Sequence, residues 1–122
     1  MRETKTSIAQ TILNKINSKE NFTYIFETNE TYINNFVVSD EIPLFIGKNP
    51  SLDFKLLKKI TDIIESKNYD SIGGWLDNET GLYHVDSNTH YYYLKTAKLA
   101  GYVNKQKAIF DLNTKKVIYL NN

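Results

Sequence analysis

The residues able to do chemistry are crowded into one stretch. GGWLDNETGLYHVDSNTHYYY, from Gly73 to Tyr93, holds the only Trp, both His and four of the nine Tyr. His84 and Asp86 stand two apart on an expected strand, hence on one face, with His90 nearby. Two imidazoles and a carboxylate suit a divalent metal. Zinc, however, takes three or four converging ligands, and no HxxxH or HExxH helix is present. Ser87 beside these His and Asp86 lacks the G-x-S-x-G context of a hydrolase nucleophile. Asp77 and Glu79 could pair as acids, but they fall in a turn, where carboxylates are solvated. No catalytic residue, metal or cofactor is expected.

What remains is stacking and hydrogen bonding. Trp75, Tyr83, Tyr91, Tyr92 and Tyr93 offer flat faces on which a nucleobase can stack. Asn88, Thr89, Asn104 and Gln106 can read polar edges, and Lys105 or Lys107 can meet a phosphate. Each feature also has a plainer reading. Trp75 and Tyr83 can pair across a hairpin and cover the core, which is the reading favoured for both. Asn104 to Lys107 can simply end a helix, Asn104 capping it and the lysines facing its dipole. Gly73-Gly74 suits a bulge or the start of a strand, since no third Gly opens a helix as a dinucleotide fingerprint requires. Tyr91–Tyr93 differ: three consecutive rings cannot all enter one core.

The elements that must position these groups follow from periodicity. Ile8, Ile12 and Ile16 form a narrow stripe on a helix over 4–18, able to pack on its own sheet or on a copy of itself. Leu52, Leu56, Leu57, Ile60, Ile63 and Ile64 make a second helix over 52–66, started near Asn49-Pro50-Ser51 and ended at Lys67-Asn68. A third is expected over 90–102, capped by Asn88 or Thr89, with Leu94, Ala97 and Gly101 on one face. Strands are expected at 22–27, 32–38, 72–76, 82–87, 108–112 and 116–120. Turns fall at Asn29-Glu30, Asp77–Gly81 and Asn113–Lys115. Glu41–Asn49 contains Pro43 and reads as an edge segment or loop. Strands joined by tight turns predict an α+β fold: an antiparallel sheet of about six strands with three flanking helices.

Composition agrees with one domain over residues 1–122. A net charge of +1 argues against bulk binding to duplex nucleic acid or membrane, while leaving room for a local patch such as Lys115-Lys116 or the Lys55, Lys58 and Lys59 group. With no cysteine there are no disulfides. The first ten residues lack the apolar run of a signal peptide, and a soluble cytoplasmic protein is expected.

The C-terminal half also carries a family pattern. G-G-W-x-D-x-x-T-G-x-Y runs over Gly73, Gly74, Trp75, Asp77, Thr80, Gly81 and Tyr83. D-S-x-T-H follows at Asp86, Ser87, Thr89 and His90. A-x-x-x-G-x-x-N-x-Q-x-A-I-F-D-L then runs from Ala97 to Leu112. Residues 70–120 resemble the phage Thoeris anti-defence sponges of the first type. The resemblance implies an oligomeric, non-enzymatic protein that binds a cyclic ADP-ribose isomer, or another cyclic nucleotide signal, and sequesters it uncleaved in the host cytoplasm. One departure stands out. Arg2 is the only arginine, so phosphate recognition falls to lysines, backbone amides or helix N-termini.

The leading expectation is therefore a nucleotide-binding homo-oligomer. Its ligand site is expected to be formed by Asn88, Thr89, His90, Tyr91, Tyr92, Asn104, Gln106 and Lys107. The loops before and after the third helix lie at opposite helix ends, which places this site at a subunit boundary. The alternatives are a protein-binding inhibitor of a host defence complex and a small nucleotide-processing enzyme.

Overall fold

The computed structural model describes residues 4–26 and 35–120. In chain order these form α1 (Lys5–Asn17), β1 (Phe22–Ile25), β2 (Phe36–Ser39), β3 (Phe45–Gly47), a 3-10 turn (Pro50–Leu52), α2 (Leu56–Ser66), β4 (Ser71–Leu76), β5 (Tyr83–Tyr91), α3 (Leu94–Val103), β6 (Ala108–Asp111) and β7 (Lys116–Tyr119). The expected turn at Asn29-Glu30 and the first three residues of the expected strand 32–38 lie outside the described residues.

All seven strands join one sheet, ordered β1-β4-β5-β2-β6-β7, and every pairing is antiparallel. The fold is α+β, as the strand-turn-strand pattern predicts. β5 is the spine. β4 runs along one of its edges. The other edge is shared, β3 pairing with Tyr83–Val85 and β2 with Asn88–Tyr91. The edge segment expected around Pro43 is β3, which starts two residues after that proline.

The period of two sorts β5 into Tyr83, Val85, Ser87, Thr89 and Tyr91 on one face and His84, Asp86, Asn88 and His90 on the other. Among the described residues, helices cover only the first face. α1 and α2 enclose Ile72, Tyr83 and Val85, with Ala9, Ile12, Ile16, Leu56 and Ile60 fully buried among them. α3 lays Ala97 against Val38, Ile109 and Leu120. The narrow isoleucine stripe of α1 is thus used within its own chain, which removes it as a ground for pairing with a second copy.

Two helix starts differ from expectation. α2 begins at Leu56 rather than near residue 52. Asp53 is extended (φ −87°, ψ 93°), which separates the 3-10 turn and exposed Leu52 from the helix, and its carboxylate accepts the Lys55 N–H at 3.0 Å where the helix starts. α3 begins at Leu94 rather than residue 90. Asn88 to Tyr91 all find ladder partners on β2, and that non-local pairing outweighs the local capping signal.

At the end of α2, Lys67 adopts a left-handed conformation (φ 57°), a position where glycine pays no Cβ penalty. Lys67→Gly is expected to stabilise the fold by about 0.5–1 kcal/mol, read as a higher urea midpoint at unchanged slope. Among the described residues no helix is long and apolar enough to cross a membrane.

Candidate functional site

Opposite the helices the sheet presents its side chains in rows fixed by register. One row is Trp75, His84 and Ile46; the next is Thr23, Gly73 and Asp86; the third is Ile25, Ser71, Asn88 and Ser39.

The first row corrects the expectation that Trp75 belongs to the core. The β4–β5 turn sets Leu76 opposite Tyr83 and Trp75 opposite His84. Trp75 and Tyr83 therefore lie on opposite faces and cannot pair. Tyr83 is fully buried, and its hydroxyl donates to the Glu20 carbonyl at 2.6 Å. Trp75 is 45% exposed and stacks on the His84 ring, centroids 4.3 Å apart and planes 11° from parallel. Burial pushes the His84 pKa down, partly offset by the Asp77 carboxylate, so the stack joins two neutral rings at pH 7. His84 Nε2 is buried with no hydrogen-bond partner among the described residues.

Asp77 is a turn former. Its Oδ1 accepts the N–H of Glu79 at 2.9 Å and of Thr80 at 3.4 Å, and the Glu79 bond leads the forces holding its pKa below the usual range. Gly81 closes that turn at φ +74°.

The second row is close-packed at its centre. Gly73 lies between Thr23 and Asp86, and a Cβ there would meet Asn88 Nδ2 at 3.0 Å. Asp86 flanks Gly73 with no hydrogen bond or ion pair among the described residues. Burial, and then the nearby Asp40 charge, push its pKa up to about 6. Asp40 is itself satisfied, accepting from the Tyr69 hydroxyl and the Glu41 N–H. A raised carboxyl pKa means that ionisation costs the folded state free energy. The protonated form's advantage is complete below the unfolded value and is lost as pH rises through about 6. Asp86→Asn is accordingly expected to raise stability at about pH 8, on the order of 1–3 kcal/mol, and to change little below about pH 4. Denaturant titrations at the two pH values check this.

The third row is closed on itself. Ser39 Oγ donates to Asn88 Oδ1 (2.9 Å), Asn88 Nδ2 donates to Ser71 Oγ (3.1 Å), and Ser71 Oγ meets His90 Nε2 at 2.8 Å. The His90 N–H donates to Asp70 Oδ2 at 2.8 Å.

The expected ligand residues thus divide. Asn88 and His90 are buried in this network. Thr89 and Tyr91 are on the helix-covered face, Tyr91 packing against the α3 cluster. Tyr92 is exposed and meets Tyr93 edge-on at 5.0 Å. Asn104 Nδ2 donates to the Ser39 carbonyl (3.0 Å), and Gln106 Nε2 to those of Asp40 and Asn104 (both 3.1 Å). Lys107 is exposed.

Ser39 therefore joins Asn88 to Asn104 within one chain, because α3 runs back along the sheet to the Ser39 end of β2. The geometric reason for a site split between subunits falls away for Asn88 and Asn104, and it stands for Tyr92, at the far end of α3. Asp40 and Tyr69 escaped sequence reading altogether, since no local pattern marks residues brought together only by strand register.

Elsewhere, a surface groove of about 590 Å³ borders β3, lined by Pro43, Leu44, Ile46, Leu52, Asp53 and Lys59 among others. Its ammonium is engaged: Lys59 Nζ lies 3.2 Å from the Leu44 carbonyl and 3.4 Å from Asp53. Among the described residues no three His, Asp or Glu side chains converge on a metal-sized space. Compared with known proteins, the chain matches no family model, no curated protein and no solved structure.

Proposed function

We propose that this protein binds a nucleotide immune signal, a cyclic ADP-ribose isomer or a cyclic oligonucleotide, and sequesters it without cleavage as a counter-defence sponge. The supporting observation is the half-exposed Trp75 indole stacked on neutral His84. An aromatic platform held rigid by a second ring suits a planar base, and each stacked base contributes about 1–3 kcal/mol. The Asp86 carboxylate, which has no hydrogen bond or ion pair among the described residues, supplies an acceptor for base or ribose donors. These groups fall within the stretch whose sequence resembles the Thoeris sponges, and the reading asks nothing of a catalyst. The site differs from the one expected around Asn88–Tyr92, whose amide and imidazole are committed to internal bonds.

Trp75 is the sole tryptophan, so its emission reports the site directly. Titration with cyclic ADP-ribose isomers and cyclic di- and trinucleotides is expected to quench it, and heating the complex is expected to release the ligand intact. No spectral change and no calorimetric heat across the panel defeats the reading. A second reading, a protein-binding inhibitor, is favoured by Phe54, which is 92% exposed between exposed Leu52 and Leu57. It takes the lead if the nucleotide panel is silent.

A further inference from the structure

The near-zero net charge conceals a segregation. Residues 93–122 carry six lysines against one acid, Asp111, whereas residues 1–92 carry nine basic and thirteen acidic groups. All six lysines (Lys95, Lys98, Lys105, Lys107, Lys115 and Lys116) are exposed. Lys105 pairs with Glu41 at 3.0 Å. The other five have no carboxylate within ion-pair distance among the described residues.

Strand register brings two of these lysines to the end of the sheet that carries aromatic rings, and two more follow those rings in the chain. Tyr91, Phe36, Asp111 and Lys116 occupy one row across β5, β2, β6 and β7. The β6–β7 turn, with Lys115 and Lys116, therefore lies at the same end of the sheet as Tyr92 and Tyr93. Those two rings are 65% and 68% exposed. Lys95 and Lys98 follow on the first turns of α3. No acid occupies the first turn of α3, where one would favour the helix dipole, and Lys95 stands there instead. A cation at that end works against the helix unless an external anion compensates it.

Two solvent-facing rings flanked by four unpaired lysines match the chemistry of a charged, base-stacking strand. We propose that Tyr92, Tyr93, Lys95, Lys98, Lys115 and Lys116 form a binding surface for single-stranded nucleic acid, separate from the Trp75 face. The tyrosines stack unpaired bases and the ammonium groups follow the phosphates. Lysine acts as a point charge and lacks arginine's planar fork, so the surface tracks a backbone with little preference among sequences. A duplex hides its base faces and loses the stacking contribution.

Fluorescence anisotropy with a labelled oligothymidylate of about twelve nucleotides tests this. Binding is expected at low salt, with log K falling against log salt at a slope of about −3 for four phosphate contacts. Lys115→Gln with Lys116→Gln is expected to reduce that slope by about 1.4. Tyr92→Ala with Tyr93→Ala is expected to weaken binding at least about tenfold while leaving the melting temperature unchanged, since both rings are exposed. Trp75→Ala is expected to leave it intact, which separates this surface from the proposed nucleotide site. The proposal is overturned by absence of binding at low salt. It is equally overturned if the tyrosine pair proves dispensable, or if a duplex, heparin or anionic vesicles bind as tightly as the single strand. The last outcomes mark a general anion patch.

Discussion

Tyr83→Ala is expected to cost about 3–5 kcal/mol, the largest loss from any single truncation in this fold. Tyr83 is the largest fully buried side chain among the described residues, at 0% exposure in the cluster shared by α1, α2 and the sheet. Its hydroxyl is satisfied by the Glu20 carbonyl, and burial raises its pKa well above the usual phenol range, so it stays a neutral donor. A domain of this size has about 5–15 kcal/mol in total, so the truncation removes a large share of it. The neighbouring backbone is fitted to this ring. A Cβ on Gly74 would collide with the Tyr83 hydroxyl and with the Phe22 ring. Gly74→Ala is expected to cost about 1–3 kcal/mol by overpacking. Tyr83→Phe loses one hydrogen bond and leaves the Glu20 carbonyl to find water, about 1 kcal/mol. The order Ala, then Gly74→Ala, then Phe in urea titrations checks the assignment of Tyr83 as the core anchor. A Tyr83→Ala protein that melts like wild type would refute it.

The second large effect concerns ligand rather than fold. Trp75→Ala is expected to weaken nucleotide binding by about one to two decades, the equivalent of losing 1–3 kcal/mol of stacking. The same change is expected to move the unfolding free energy by no more than about 1 kcal/mol, because the indole contacts His84 on an exposed surface. Calorimetric titration and thermal unfolding of one variant separate the two effects. Trp75→Phe keeps a ring and is expected to recover part of the affinity. A Trp75→Ala protein that binds as wild type moves the ligand away from this face. One that loses mainly stability returns Trp75 to a structural role.

Much of the architecture was legible because it rests on short-range rules. The stripes of Ile12 and Ile16, and of Leu56 and Ile60, show one apolar face each, and both helices exist and bury those residues. Thr4 caps α1 by accepting the Ser7 N–H at 3.0 Å, and Asp77 to Gly81 turn as their types demand. The helices start later than the periodicity near residues 52 and 90 predicts, because a competitor overrides propensity. At Asp53 it is an extended backbone after the 3-10 turn. At Asn88–Tyr91 it is a partner strand distant in sequence.

The candidate site was legible in composition but not in arrangement. Crowding of Trp75, His84, Asp86 and the tyrosines between Gly73 and Tyr93 is visible in the chain, and so is the basic excess of its last thirty residues. Which of these groups face each other depends on a single parameter, the β4–β5 register. A shift of one residue sends every side chain of a strand to the opposite face. That register puts Trp75 on His84 in the open and Tyr83 alone in the core, and it brings Asp86 beside the side-chain-free Gly73. The same non-local pairing, through β2, spends Asn88 and His90 on an internal network with Ser39 and Ser71. Local propensity and periodicity, which act over a few residues, determined the helices, strands and turns from sequence alone. The faces on which the chemistry stands were decided by ladder hydrogen bonds between residues far apart in the chain, which only the assembled sheet contains.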